Sequence, residues 1–160
     1  MRRNAIQNSF FGIMISILLI GCAPLDDVSF ARSTMELMIN GRYSARTRLD
    51  WPVLKILTAD IGKEYSNLKT KQDRENYEQS FIKSFAEGYK KAGAKASAFF
   101  GWRTFSDYKT KSPNVTVVAA YAHDKTTSLL FVISHEGRTK KIVEMLAVRR
   151  LDNAEAGKNL

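Results

Sequence analysis

Residues 127–135 read Thr-Ser-Leu-Leu-Phe-Val-Ile-Ser-His, an apolar run rich in β-branched and aromatic side chains that predicts a β-strand. Its apolar side chains would alternate between the two faces of the sheet, with Leu129, Phe131 and Ile133 on one face and Leu130 and Val132 on the other. A strand with one solvated face alternates strictly between apolar and polar residues. Both faces of this sheet are therefore expected to be covered, one by helices and the other by a pocket wall, a dimer partner or another protein.

Three further runs share this extended character. They occupy residues 96–108, 115–122 and 139–150, and short polar turns at 112–114, 123–125 and 136–138 separate the four runs. Because short turns connect antiparallel neighbours, the second half of the chain predicts a four-stranded antiparallel meander.

The first half has the periodicity of helices. A helix is predicted to begin at Asp26 or Asp27, whose oxygens can cap it, and to end at Asn40-Gly41. Its apolar stripe consists of Val28, Ala31, Met35 and Met38. Residues 42–48 are expected to form a turn or a helical piece.

A second helix is predicted to follow Asp50, with Pro52 in its first turn and Gly62 at its end. The apolar residues assigned to it are Val53, Leu54, Leu57 and Ile61.

The longest helix is predicted over residues 71–91. Thr70 and Asp73 have the spacing of a capping box, and Gly93 is the expected stop. Aromatic residues recur every four positions along it, at Tyr77, Phe81, Phe85 and Tyr89. An aromatic stripe at this spacing is typical of a packed core rather than of a cofactor site.

Three helices followed by a four-stranded antiparallel sheet make an α+β chain. This order of elements, with the segment Met38-Ile39-Asn40-Gly41-Arg42-Tyr43, resembles the NTF2-like (cystatin-like) domains over about residues 28–148. The resemblance implies that the helices cover the concave face of a strongly curved sheet. Residues 71–89 and the strands after them are also similar, more weakly, to periplasmic phospholipid-binding proteins of the MlaC kind, which implies a phospholipid carrier.

The N-terminus has the anatomy of a secretory signal. Arg2 and Arg3 precede an apolar run at 10–20 that is too short to span a bilayer as a mature helix. The following Leu19-Ile20-Gly21-Cys22 resembles a bacterial lipobox, which implies cleavage before Cys22 and attachment there of diacylglycerol and an acyl chain such as palmitate. The alternatives are an ordinary signal peptide or an uncleaved anchor. Residue 23 is Ala rather than Asp, which resembles the outer-membrane sorting signal of enterobacterial lipoproteins and implies an outer-membrane lipoprotein facing the periplasm.

These boundaries divide the chain into a signal peptide at 1–21, a lipidated tether at 22–26, one domain at 27–150 and a polar tail at 151–160. The formal charge of +9 for the whole chain falls to +7 without Arg2 and Arg3. Export excludes nucleic acid as the partner of this basic chain, which leaves anionic lipid beside the anchor or an acidic partner. The favoured alternative is a solvated surface of mixed charge, because the basic residues are scattered along the chain. With its single cysteine assigned to the lipid, the chain has none left for an intramolecular disulfide, a thiolate metal site or a cysteine nucleophile. No third ligand accompanies His123 and His135 at a suitable spacing, so no metal site is predicted, and no cofactor is expected.

Glu144 is the candidate for acid–base chemistry, because it interrupts an apolar strand where burial would raise its pKa. Tyr121 and His135 are its candidate helpers, while His123 is placed in a turn. The favoured alternative is an ion pair between Glu144 and a Lys or Arg. Phe100, Trp102 and Tyr108 are candidate ligand-binding residues on one strand face, with ordinary core packing as the favoured alternative.

Three functions follow from these observations. The leading hypothesis is a lipid-anchored, non-catalytic envelope protein that binds a partner protein or an apolar ligand, and a homodimer is one candidate assembly. The alternatives are a phospholipid carrier and a small lyase or isomerase built around Glu144. No G-x-S-x-G, phosphate-binding glycine loop or H-E-x-x-H motif is present in the sequence.

Overall fold

The structure is a computed structural model that describes residues 25–93, 95, 98–106, 114–122 and 127–149. The predicted signal peptide, Cys22, Tyr108, His123 and the predicted tail at 151–160 lie outside the described residues. Within the described ranges, no helix is long and apolar enough to cross a membrane.

Helix α1 spans Asp27–Ile39, as its caps predict. Asp26 is the N-cap, and its carboxylate accepts a hydrogen bond of 2.8 Å from the backbone N–H of Ser29. The buried face of α1 consists of Phe30, Ala31, Thr34, Met35 and Met38. A 3-10 helix over Tyr43–Arg48 follows, which confirms the expected helical piece.

The predicted second helix is wrong. Its residues form a 3-10 helix at Trp51–Val53, a two-residue strand β1 at Lys55–Ile56 and a second short strand β2 at Ala59–Asp60. Helix α2 then spans Ile61–Ser66. Gly62, the predicted stop, lies inside α2 instead. Glycine is required there because a Cβ would collide with the carbonyl oxygen of Pro52.

Helix α3 spans Lys71–Lys91, as predicted. Both halves of the Thr70–Asp73 capping box are formed, with the backbone N–H of Asp73 donating to the Thr70 hydroxyl at 3.0 Å. The aromatic stripe of α3 packs against the main hydrophobic core, as expected.

The sheet has six strands rather than the four predicted. The four longer strands are β3 at Phe99–Thr104, β4 at Val115–Ala122, β5 at Thr127–Glu136 and β6 at Thr139–Arg149. Their order is β2-β1-β6-β5-β4-β3, and every neighbouring pair is antiparallel except β1 and β6, which are parallel. The α+β class is confirmed, whereas the four-stranded antiparallel sheet with three helices is corrected to a mixed sheet with additional 3-10 helices.

Both faces of the sheet carry a buried cluster. The larger cluster lies between the sheet and the helices and includes Leu129, Phe131 and Ile133. The smaller one lies on the opposite face and consists of Phe105, Val117, Ala119, Leu130 and Val132. The predicted division of β5 between the two faces is therefore confirmed.

Candidate functional site

An apolar groove of about 470 Å³ lies between α3 and the β1–β2 hairpin. The hairpin and the start of α2 contribute Ile56, Leu57, Ala59 and Ile61. Helix α3 contributes Phe81, Ser84, Phe85, Gly88, Tyr89 and Ala92. The volume falls within the range of about 300–1,000 Å³ that is typical of small-molecule sites.

The α3 wall of the groove follows from helical geometry. Each of its six residues has another of them three or four positions away, so they form one stripe along the helix. Ser84, Gly88 and Ala92 succeed one another at intervals of four residues, and their small side chains leave the space in front of the helix open. A Cβ added at Gly88 would meet no atom within 4 Å. The aromatic rings of Phe85 and Tyr89 stack beside these small residues with centroids 4.9 Å apart.

The opposite wall ends at the tip of the β1–β2 hairpin. Leu57 begins the two-residue loop there with φ of 55°, a conformation that favours Gly, Asn or Asp. Its backbone N–H donates a 2.7 Å hydrogen bond to the carbonyl oxygen of Met145 on β6. The Leu57 side chain remains 55% exposed at the rim of the groove.

The described lining residues offer almost no polar side-chain groups. Its polar side-chain groups are the hydroxyls of Ser84 and Tyr89. Burial raises the pKa of Tyr89, so this hydroxyl stays protonated at neutral pH. With no carboxylate, imidazole or ammonium group among these lining residues, the groove is suited to binding an apolar molecule rather than to acid–base catalysis.

The three candidate catalytic residues do not lie together. Glu144 is half-buried on the sheet face opposite the helices, where its register partners are Val132 on β5 and Lys55 on β1. Tyr121 lies on the same face, but its partner on β5 is Ser128, four residues from Val132 and thus about 13 Å away along the strand.

His135 lies on the helix-covered face, at the end of the sheet where α1 begins. Its Nε2 is 3.1 Å from the hydroxyl of Thr116 and 3.4 Å from the carboxylate of Asp27. The ammonium group of Lys140 lies 2.6 Å from that carboxylate. Burial acts to raise the pKa of Asp27, but the hydrogen bonds from Lys140 and Thr116 and the nearby His135 outweigh it and lower the pKa. This polar cluster ties the start of α1 to the β5–β6 hairpin.

Phe100 and Trp102 do not share a strand face, so that part of the prediction is wrong. Between them, Gly101 has φ of 63° and interrupts the register of β3 with β4. Trp102 therefore packs on Phe131 under the helices, with ring centroids 5.3 Å apart, while the Phe100 ring lies 5.9 Å from that of Tyr121 on the other face. Neither aromatic residue lines the groove.

A buried carboxylate that the sequence analysis did not identify joins α3 to the elements before it. Glu78 is 6% exposed, accepts a 2.8 Å hydrogen bond from the hydroxyl of Tyr65 on α2 and lies 3.3 Å from the guanidinium of Arg46. Burial and the hydrogen bond to Glu78 raise the pKa of Tyr65 to about 12. Glu78 falls on the same side of α3 as Ile82, four residues later, and that spacing is the signal that could have identified it.

Among the described residues there is no group of three or more His, Cys, Asp or Glu side chains placed to hold a metal ion. The chain matches no family model, and it has no significant match among curated proteins or solved structures.

Proposed function

We propose that this protein is a lipid-anchored envelope protein whose α+β domain binds an apolar ligand in the groove between α3 and the β1–β2 hairpin. The observation that carries this proposal is the groove itself, with a volume of about 470 Å³ and a lining of aliphatic and aromatic side chains. Binding rather than catalysis is favoured because Glu144 and His135 lie on opposite faces of the sheet.

The domain is proposed to be NTF2-like. The helices pack on one face of a sheet whose register is interrupted twice, between Phe100 and Arg103 on β3 and between Val132 and Ile133 on β5. Such interruptions bend and twist strands, and a bent sheet covered by helices on one side is what the resemblance implies.

The envelope location rests on the lipobox-like segment that ends at Cys22. Metabolic labelling with a fatty acid should mark the wild-type protein and leave Cys22→Ser unlabelled. Equal labelling of the two proteins would contradict lipidation.

Ligand binding is tested by native mass spectrometry of the gently purified mature protein, followed by organic extraction. The wild type should carry a defined extra mass, and Gly88→Leu should lose it because the new side chain projects into open groove space. Gln79→Leu places the same side chain on the exposed, non-groove side of α3 and should keep the ligand. An unliganded wild type, or a ligand retained by Gly88→Leu, would contradict the proposal.

A further inference from the structure

We infer that the occupant of the groove is a single acyl chain of a membrane lipid. This inference rests on the proposed function and names the chemical class of its ligand. It is argued from the dimensions of the groove, from its lack of hydrogen-bonding groups, from two residues that are unfavourable for stability, and from the position of the groove relative to the N-terminal tether.

The dimensions match one hydrocarbon chain. The α3 wall extends from Phe81 to Ala92, eleven residue steps, which correspond to about 17 Å of helix. One leaflet of a bilayer contains hydrocarbon to a depth of about 15 Å, so an acyl chain of membrane length fits this wall. The volume of about 470 Å³ lies towards the lower end of the range for ligand sites, which favours one chain over two.

The chemistry of the walls favours hydrocarbon over peptide. One wall is the side of α3, whose backbone N–H and C=O groups are already bonded within the helix. An extended peptide lying along it would leave its own backbone groups facing apolar side chains, at a cost of several kcal/mol for unpaired groups. A hydrocarbon chain has no such groups. The only polar side-chain groups among the described lining residues that it would meet are the hydroxyls of Ser84 and Tyr89.

Two residues on this groove are poor choices for stability alone. Gly88 lies in the last turn of α3, three residues before its end, where Gly is a poorer helix former than Ala, and no neighbouring atom within 4 Å requires it. Leu57 has a positive φ that a Leu rarely adopts, and much of its side chain is exposed. Both residues have a role if Gly88 keeps the groove open and Leu57 covers the bound chain.

Strand β6 connects the hairpin wall of the groove to the start of the described chain, which leads towards the predicted lipid anchor. The ammonium group of Lys140 on β6 donates a hydrogen bond to the carbonyl oxygen of Leu25. The β1–β2 hairpin is bonded to Met145 on the same strand, five residues on and thus about 17 Å away. Cys22 precedes Leu25 by three residues, a span of at most about 11 Å. A lipidated Cys22 would therefore hold the groove within roughly 35 Å of the bilayer surface.

The test uses the mature lipidated protein, which begins at Cys22, in phosphatidylcholine vesicles that contain a phosphatidylcholine with a photoactivatable diazirine in one acyl chain. After irradiation, trypsin releases the two walls of the groove as separate peptides, residues 84–90 and 56–63. Residues 142–149 form a third peptide, from the central strand β6, and serve as the internal reference.

The expected result is a lipid adduct on peptides 84–90 and 56–63 and little or none on 142–149. Gly88→Leu should reduce the adduct at least tenfold, and Gln79→Leu should leave it unchanged. Ser84→Leu, a second variant that fills the groove at an exposed helix position, should act like Gly88→Leu and provides the result if Gly88→Leu does not fold. Adducts spread evenly over the three peptides, or adducts insensitive to both groove-filling variants, would overturn the inference.

Organic extraction of the same preparations separates failure of this inference from failure of the proposed function. If no acyl adduct forms, but the wild type releases an apolar molecule of another class that Gly88→Leu does not carry, the acyl inference is overturned and the proposed function stands. If no adduct forms and no molecule is released, both are overturned.

Discussion

Leu57 has a backbone conformation that is unfavourable for a Leu side chain. Its φ of 55° is unfavourable for Leu by about 1–2 kcal/mol, yet its side chain contributes to the rim of the groove. A residue retained under such strain suggests a role in binding.

Leu57→Asn should therefore separate stability from binding. Asn tolerates the left-handed conformation, so the free energy of unfolding should stay level or rise by up to about 1 kcal/mol, while affinity for the apolar ligand falls. Urea denaturation and ligand titration measure the two quantities. Val53→Asn changes another exposed apolar residue that does not line the groove and should leave affinity unchanged. A less stable Leu57→Asn with normal affinity would show that Leu57 is structural only.

The buried hydroxyl of Ser128 leads to a second prediction about a single residue. Its hydroxyl is fully buried on β5 and has no hydrogen-bond partner within the described part of the chain. Ser128→Ala should raise the free energy of unfolding by about 1 kcal/mol, because an unpaired polar group is removed from the interior. Thr34→Val, which removes a buried hydroxyl bonded at 2.7 Å to the carbonyl oxygen of Phe30, should lower it instead. The same sign for both variants in urea denaturation would contradict this account.

The sheet face on which each side chain of a regular strand lies could be predicted from sequence. Leu129 and Leu130 lie on the faces expected of them because β5 is paired continuously through that region. Phe100 and Trp102 do not, because the irregularity at Gly101 shifts every later residue of β3 to the other face. A Cβ at Gly101 would lie 2.8 Å from the ring of Tyr121, a tertiary contact that the local sequence does not encode.

Among the elements, α3 is both a core helix and one wall of the groove. Gly88→Ala should stabilise it by about 1 kcal/mol, since Ala is the better helix former and its methyl group meets open space. The same methyl group should weaken ligand binding. Thermal unfolding with and without ligand measures both effects, and a destabilised Gly88→Ala would indicate that the space beside Gly88 is not open in solution.

Helices α1 and α3 could be predicted because their caps and apolar stripes are local signals. Asp26, Thr70 and Asp73 each make the capping bond expected of them. Strands β1 and β2 could not, because two-residue strands are too short to show a period of two. The stretch that contains both strands was instead predicted to be a helix with Leu57 on its apolar side, and with that error the hairpin wall of the groove was missed.

For the whole molecule, the α+β class could be predicted, but the parallel pairing of β1 with β6 could not. Lys55 and Glu144 are partners across that pair although 89 positions separate them in the chain. No local pattern specifies such a contact. This pairing helps to position the site, since it holds the β1–β2 hairpin, one wall of the groove, against β6.

The pH dependence of unfolding is a property of the whole molecule. Burial and hydrogen bonds to Glu78 and Glu64 raise the pKa values of Tyr65 and Tyr77, respectively, to about 12, against about 10 for unfolded tyrosine. Between these values the unfolded chain loses protons that the folded protein retains, so stability should fall as pH rises from about 10 to 12. Urea midpoints across this range measure the decline, and Tyr65→Phe with Tyr77→Phe should reduce its slope. An unchanged slope would contradict the assignment.

The central claim is that the groove between α3 and the β1–β2 hairpin holds one acyl chain. Methyl NMR spectra of the mature protein during titration with palmitate test it most directly, because methyl groups lie on both faces of the sheet. The account predicts chemical-shift changes at Ile56, Leu57 and Ile61 that saturate at one equivalent and are lost in Gly88→Leu, with Leu130 and Val132 unaffected. Changes centred on Leu130 and Val132, or no saturable change at the groove, would contradict it.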